Sequence, residues 1–434
     1  MIYGVAGEAS ADARGASQSE LVVDRRHSVV IVGGGAAGIA VASSLLARLP
    51  ELDISIIEPA DVHYYQPGWT MVGGGVFDQA VTVRTMASVM PDGVHWIKAA
   101  VTGFEPELNV VSTDKAGNVG YDHLVVCPGL KLDWGAIDGL EEALGKNGVT
   151  SNYRFDLAPY TWALVQELAA RGGKAVFTQP PMPIKCAGAP QKAMYLSADY
   201  WRRRGMLRKV DIEFCNAGAV LFGVADYVPA LMEYVEKYGV SLNFGETLVK
   251  VNGKDKTAMF KRAKPDGSSE LVERKYDMLH VVPPQKAPDF VSNSKLADSA
   301  GWVEVDPSTL QHKRFPNIHA LGDVGGMSNA KTVAAARKQV PVVAHNVLTA
   351  LNRSRGTALY DGYGSCPLTV ERGKIVLAEF AYGGKVTPTF PTWVINGKRP
   401  SRLSWMLKAK LLPFIYWRGM LKGREWLVAP EIKG

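Results

Sequence analysis

Apolar residues run unbroken from Val29 to Val32 and then give way to glycines at 33, 34, 35 and 38. Such a run predicts a strand buried on both faces, as in a parallel sheet. Ile39 to Leu49, apolar and Ala-rich, predicts the helix that follows. Ile54 to Ile57 predicts a second buried strand, ending in Glu58 twenty residues after Gly38. The same pattern predicts strands over His95 to Val101, Tyr121 to Val126, Lys174 to Thr178 and Val210 to Cys215, and another from Asn317 into Gly322-Asp323. Helices are expected over Tyr160 to Ala170 and from Lys331-Thr332 into Ala336. Strands alternating with helices place the chain in the α/β class.

Gly33, Gly35 and Gly38 fall on the G-x-G-x-x-G spacing of a dinucleotide-binding turn. Gly33 permits the tight turn and Gly35 the approach of a pyrophosphate. Gly38 lets the helix pack on its strand with its N-terminal N–H groups facing the anion. Glu58 at the end of the second strand suits both hydroxyls of an adenosine ribose. Gly322-Asp323 stands where flavoproteins with two dinucleotide folds direct an Asp at the ribityl chain. The helix after Lys331 and Thr332 would then bring its positive end, with Lys331, to the pyrimidine side of a flavin. Tyr64 to Trp69 is an aromatic loop that either covers a flat ring system or packs on the surface. Cys127-Pro128-Gly129 departs from the A-T-G turn usual at that point.

A chain of 434 residues, 47% hydrophobic and 21% charged, buries a large core and makes two domains with additions. No apolar stretch reaches the roughly 18 to 20 residues of a spanning helix. Residues 1–26 are polar and small, with Glu8, Asp12, Glu20 and Asp24 among them, and read as a disordered arm without a targeting signal. The net charge of +7 is concentrated: Phe380 to Arg424 holds nine Lys or Arg and no Asp or Glu. There Leu403, Trp405, Met406, Leu411, Phe414, Trp417 and Leu421 alternate with Lys408, Lys410, Arg418 and Lys422. This composition suits two short helices, split at Pro413, lying in a lipid interface; a dimer or domain contact with a basic rim is the other reading. Its aliphatic content argues against a nucleic-acid face. No metal-ligand spacing stands out.

No second glycine turn follows Thr178. Gln179 to Gln191 carries Pro180, Pro181, Pro183, Pro190 and Cys186 instead, and Asn216-Ala217-Gly218-Ala219 has a single glycine. The reductant is therefore expected not to be a nicotinamide, and a cysteine stands near where its ring would lie. Of the four cysteines, Cys215 reads as a buried, inert thiol. Cys127 reads as packing, with redox chemistry near a flavin left open. Cys186 and Cys366 lie in Pro/Gly-rich loops where packing demands no cysteine, and Lys185 would favour a thiolate. Whether they form a redox pair stays open, because their separation in sequence does not fix a distance.

Several motifs together resemble one family. They are Gly33 to Gly38, Glu58-Pro59 with His63 to Pro67, Ser151-Asn152-Tyr153, Lys185 to Lys192, Leu279-His280-Val281 with Pro283-Pro284, Asp361-Gly362-Tyr363 with Ser365-Cys366-Pro367, and Leu411 to Trp417. From about Val29 to Trp417 the chain is similar to sulfide:quinone oxidoreductases of the mitochondrial type, in the flavoprotein disulfide reductase superfamily. Other branches place the first catalytic cysteine near Asn152; here it falls at Cys186, as in the mitochondrial type.

The resemblance implies an α/β fold of two Rossmann-like dinucleotide-binding domains, of the FAD/NAD(P)-binding type, plus a C-terminal amphipathic membrane-associating segment. The boundaries expected are 27–130 and 301–345 for the FAD-binding domain, 131–300 for the second Rossmann-like domain, and 346–434 for a C-terminal domain with Cys366 and the amphipathic helices. It further implies a bridge between Cys186 and Cys366, direct or through an extra sulfur. Hydrosulfide would attack at Cys366, a persulfide would form there, and Cys186 would leave as a thiolate that donates to FAD. Glutathione, sulfite or another sulfide would take the outer sulfur, and ubiquinone the electrons. By similarity Ala36, Ala37, Gln66, Val101 (through its backbone), Asp323 and Lys331 touch FAD; Phe380, Tyr382 and Phe414 are the expected quinone contacts. The expected place is the surface of an energy-transducing membrane, with a homodimer left open. The rival readings are a type II NADH:quinone reductase, a flavocytochrome-type sulfide dehydrogenase, and a membrane-associated flavoprotein that only binds partners.

Overall fold

The computed structural model describes residues 22–434. Four parallel strands lie in the order Val94–Ile97, Ile54–Ile57, Arg25–Val32, Asn118–Val126. Ile318–Ala320 joins the C-terminal half of Asn118–Val126 in parallel, while Val110–Thr113 and Val101–Glu105 extend its N-terminal half as an antiparallel meander. The register sets Val32 opposite both Ile57 and Val126, and Val126 opposite Ala320. These strands thus finish along one edge, the edge beyond which parallel sheets hold ligands. Val29, Val30 and Ile31 are wholly buried, as an unbroken apolar run requires. The helices Ala36–Arg48 and Val333–Ala350 pack side by side on this sheet.

Two expectations at this sheet are corrected. The strand expected over His95 to Val101 is two strands, because the chain turns at Lys98–Ala100 to pass from a parallel to an antiparallel neighbour. The arm expected over residues 1–26 lies outside the described residues up to residue 21, and Arg25 and Arg26 already pair with Val119 and Gly120.

A second parallel sheet has the order Val149–Thr150, Met278–His280, Gly173–Gln179, Val210–Asn216, Ser241–Phe244. Helices Ala158–Arg171, Ala189–Arg203 and Val228–Tyr238 accompany it, and Phe177, Tyr195, Trp201, Phe214 and Tyr227 fill its core. A three-stranded antiparallel sheet, Glu246–Asn252, Thr257–Ala263 and Ser269–Lys275, is appended. Late in the chain the hairpin Gly364–Glu371 and Lys374–Phe380 lies against helix Ala189–Arg203. That contact brings Cys366 to Cys186.

The C-terminal segment is one helical path from Arg402 to Lys422, not two helices split at Pro413. Backbone at Leu407, Leu412, Ile415 and Met420 stays right-handed helical. The π-type turns Leu407–Leu411 and Ile415–Gly419 flank the proline, and the wider turn relieves the clash of its ring with the preceding carbonyls. Ser404, Lys408, Tyr416 and Met420 face inward, at multiples of four residues, while Leu403, Met406, Leu411 and Phe414 are exposed. Among the described residues no helix is long and apolar enough to cross a membrane.

Candidate active site

Beyond the strand ends lies a cavity of about 440 Å³, walled by the glycine turn, the loop from Tyr64 to Thr70, the Cys186 loop, the start of helix Val333–Ala350 and the C-terminal helical path. Each glycine of the turn has a visible cause. Gly33 has φ +103°, and a Cβ there would stand 2.7 Å from the Cys127 carbonyl oxygen. A Cβ on Gly38 would stand 1.9 Å from the Gly33 carbonyl oxygen, so helix and strand approach as only glycine allows. On Gly35 it would meet nothing within 4 Å, because that position opens on the cavity. The helix after Gly35 has no side-chain cap, which leaves its first N–H groups available to an anion.

Glu58 reaches the cavity with its carboxylate accepting from the N–H groups of Gly34 at 2.7 Å and Ala60 at 2.8 Å. Gly322, with φ +76°, turns the chain so that Asp323 joins the wall, and burial pushes the Asp323 carboxyl up while Lys185 and Lys331 oppose it. Ala36, Ala37, Gln66, Lys331 and Thr332 line the same space; Gly38 and Val101 are not part of the lining. Thr332 caps the helix, its hydroxyl oxygen accepting from the Ala335 N–H at 3.1 Å. The Lys331 ammonium donates to the carbonyls of Asp323 and Gly325 and lies 3.9 Å from the Trp302 ring centroid, with burial lowering its pKa to about 8. Its backbone carbonyl accepts from the Cys186 N–H at 2.9 Å.

The walls fit a flat, polar, phosphate-bearing cofactor. Asn152 has both amide atoms buried without partners, and Trp69 Nε1 and Thr70 Oγ1 are likewise unpartnered, all three residues on this wall. A buried polar group left unpaired is destabilising by about 1–3 kcal/mol, which a bound ligand's donors and acceptors relieve. Together with the open cradle at Gly35, these groups suit a dinucleotide with a heteroaromatic ring.

Cys186 and Cys366 bring their sulfurs to 3.9 Å across 180 residues of sequence. Cys186 lines the cavity and Cys366 lies behind it, 1% exposed. The Cys186 backbone is left-handed, φ +51°, and is fixed on every side: its carbonyl accepts from Ala189 N–H at 2.7 Å and from the Tyr153 hydroxyl, and its N–H is taken by Lys331. A non-glycine residue held in that region marks a position set by its surroundings. Helix Ala189–Arg203 begins three residues later and carries Lys192 in its first turn. The Lys192 ammonium donates to the Cys186 sulfur at 3.3 Å. A hydrogen bond from the Cys366 thiol first, then Lys192 and the more distant Lys408, hold the Cys186 thiol well below its ordinary range against burial; the Cys366 thiol, as donor and buried, is raised.

Sequence reasoning missed several of these groups. Lys408 was placed among the surface cations of the C-terminal segment, yet it is 3% exposed, donates to the Pro67 carbonyl at 2.9 Å, and is lowered to about 7 by burial, with Lys192 adding to the effect. Its inward spacing from Ser404 was the available signal. Lys192 lay inside the Cys186 motif without a stated role. Tyr65 does pack rather than lie free, with its ring 4.7 Å from that of Tyr416. Cys127 packs against Gly38 at the cavity wall and Cys215 is buried in its strand; burial raises both thiols, Cys215 to about 12.

Phe380 and Tyr382 do not line the cavity. Phe380 packs on Phe222, and the Tyr382 hydroxyl donates to the Pro307 carbonyl at 2.7 Å. Phe414 is exposed, stacked on Trp426, beside a separate hollow with Pro413 and Trp417. Leu377, Phe390, Leu407, Leu412 and Ile415 give the main cavity apolar lining.

A family model described as pyridine nucleotide-disulphide oxidoreductase matches residues 27–165. The chain is 42% identical over 423 residues to the mitochondrial sulfide:quinone oxidoreductase of Dictyostelium discoideum, covering 96% of this chain and 91% of the relative. It is 38% identical over 397 residues to the mitochondrial enzyme of the same name from Mus musculus, covering 92% and 87%. The crystal structure of sulfide:quinone oxidoreductase from Aquifex aeolicus superposes with a TM-score of 0.77 at 19% identity, covering 94% of this chain and 97% of that one, a likeness of fold.

Proposed function

The chain belongs to the sulfide:quinone oxidoreductase family, and on that premise we propose that it oxidises hydrogen sulfide at the Cys186–Cys366 pair and passes two electrons through FAD to ubiquinone. The observation that carries the reading is the meeting of the two sulfurs at the wall of the cavity that begins at the glycine turn.

The turn Gly33 to Gly38 and the free N–H groups of helix Ala36–Arg48 would hold the pyrophosphate, Glu58 the adenosine ribose, and Gly322-Asp323 the ribityl chain. Gln66, Thr332, Lys331 and the Val101 backbone complete this proposed set. When bound, the flavin supplies a two-electron acceptor beside Cys186. In the oxidised enzyme the two cysteines are bridged, directly or through one additional sulfur. Hydrosulfide attacks the sulfur at Cys366; a new S–S bond forms there, the bond toward Cys186 breaks, and Cys186 leaves as a thiolate from a direct bridge, or as a persulfide anion where the bridge holds the additional sulfur. Lys192 and Lys408 stabilise that negative charge, which a buried site without cations would resist. A small nucleophile such as glutathione, sulfite or sulfide removes the outer sulfur. The bridge closes again as two electrons leave the sulfur pair.

The apolar lining at Phe390, Leu407, Leu412 and Ile415 is the proposed quinone entry. Exposed Leu403, Met406, Leu411 and Phe414, set among Lys and Arg, suit the interface of a membrane from which a lipid-soluble quinone enters. The second sheet is proposed as a dinucleotide fold whose nucleotide site has been replaced by the Cys186 loop, which argues against the type II NADH reductase.

The test is anaerobic stopped-flow absorbance with sulfide and, separately, with NADH. Sulfide should raise a long-wavelength band and bleach the flavin, NADH should do neither, and Cys186→Ser should abolish the sulfide response. Bleaching by NADH alone would overturn the reading.

A further inference from the structure

At the opposite end of the first sheet from the cavity, three side chains from three neighbouring strand starts converge. His27 stands near the start of strand Arg25–Val32, Asp53 precedes Ile54–Ile57, and His95 lies in Val94–Ile97. His27 Nδ1 is 2.9 Å from Asp53 Oδ1, and His95 Nε2 is 3.6 Å from that same oxygen. One donor atom from each residue lies within 4.8 Å of the others. The geometry points to a divalent-cation site, and we propose that His27, Asp53 and His95 bind a first-row transition metal of the zinc class.

An ion pair needs one imidazole. Here two imidazoles approach one carboxylate oxygen, with ring centroids 5.1 Å apart. Bonds of about 2.0–2.2 Å in a tetrahedral set put neighbouring ligand atoms about 3.3 Å apart. The distances of 2.9 and 3.6 Å straddle that value. Nitrogen with carboxylate oxygen favours zinc, copper or nickel over calcium or magnesium, whose sites are built of oxygen.

The backbone already supplies the order such a site needs. Val29 N–H donates to the Asp53 carbonyl at 3.0 Å, His27 pairs with Tyr121, and His95 pairs with Ser55. Side-chain exposure rises from 13% at His27 through 43% at Asp53 to 65% at His95, so the fourth position is open to water. A cation there would tie the edge strand Val94–Ile97 to the two strands beside it.

Zinc-soaked crystals of the holoenzyme, with anomalous scattering at the zinc edge, locate the ion directly. The expected result is a peak among His27, Asp53 and His95 that is lost in His95→Gln, a change at an exposed position, and in His27→Gln. In solution, zinc should raise the unfolding midpoint of the wild type more than that of either variant, since a ligand bound only by the folded state stabilises it. No peak among the three residues, a peak only at Cys186–Cys366, a peak that survives both substitutions, or equal midpoint shifts would each overturn the proposal.

Discussion

Lys192 holds its ammonium 3.3 Å from the Cys186 sulfur, from the first turn of the helix that begins just after that cysteine. A cation that close favours the thiolate. Replacing Lys192 by Met removes a charge within contact distance but keeps an apolar stem of similar length. The apparent pKa of the thiolate should rise, read from the pH dependence of the long-wavelength band in sulfide-treated enzyme. A band that titrates at an unchanged pH would show that Lys192 does not set the charge on Cys186.

Gly35 and Gly38 separate cofactor contact from packing. Gly35→Ala introduces a methyl that meets no protein atom, so the protein should keep its unfolding midpoint as apoprotein and bind flavin about tenfold or more weakly. Gly38→Ala sets a carbon against the Gly33 carbonyl and should lower apoprotein stability itself, by about 1–3 kcal/mol. Flavin fluorescence titration beside thermal unfolding checks both. Equal loss of stability in the two variants would refute the division of roles.

The parallel strands and the glycine turn were legible because burial on both faces leaves an unbroken apolar run, and because Gly33 and Gly38 answer to local sterics. The place of Asp323 and Glu58 on the cavity wall was legible because each stands at the end of a predicted strand. The meeting of Cys186 with Cys366 was not, since it depends on the hairpin Gly364–Phe380 docking on a helix formed far earlier in the chain. Lys408 was misread because a lysine between leucines has the same composition on a lipid-facing surface as against a buried sulfur pair. Only its helical phase, four residues from buried Ser404, distinguishes them. The continuous path through Pro413 was hidden because the usual cost of proline is relieved by π-type turns that leave no mark in residue type.

The outward face of the C-terminal path can be tested without touching its core. Met406 and Phe414 are 55% and 53% exposed. Changing both to Gln should leave the unfolding midpoint within a degree or two of wild type. It should weaken binding to anionic vesicles by about 1.5 kcal/mol or more per side chain, as measured by flotation. Soluble short-chain quinone should still be reduced normally. Unchanged flotation would assign that face to another role.

Of five buried imidazoles that burial lowers, three are lowered furthest, His63 to about 4 and His280 and His319 to about 3; His123 and His312 are lowered as well. His63 also joins the two halves of the site, one ring nitrogen at 2.6 Å from the Tyr416 hydroxyl and the other at 3.3 Å from the Gly34 carbonyl. Between the ordinary histidine value near 6.5 and these lowered values, the unfolded chain binds protons that the folded one does not. Stability therefore falls as pH drops below about 6.5, with a slope approaching about 4 kcal/mol per pH unit if all three contribute. Above that pH both states are neutral at these residues and their contribution is flat. Denaturant midpoints of the flavin-loaded protein between pH 7.5 and 5 measure the slope, a window above most carboxylate titration. His280→Asn should reduce it by about 1.4 kcal/mol per pH unit, the share of one proton. An unchanged slope in that variant would mean that His280 is already protonated in the folded protein, and that its burial is more open to water than its surroundings in the sheet allow.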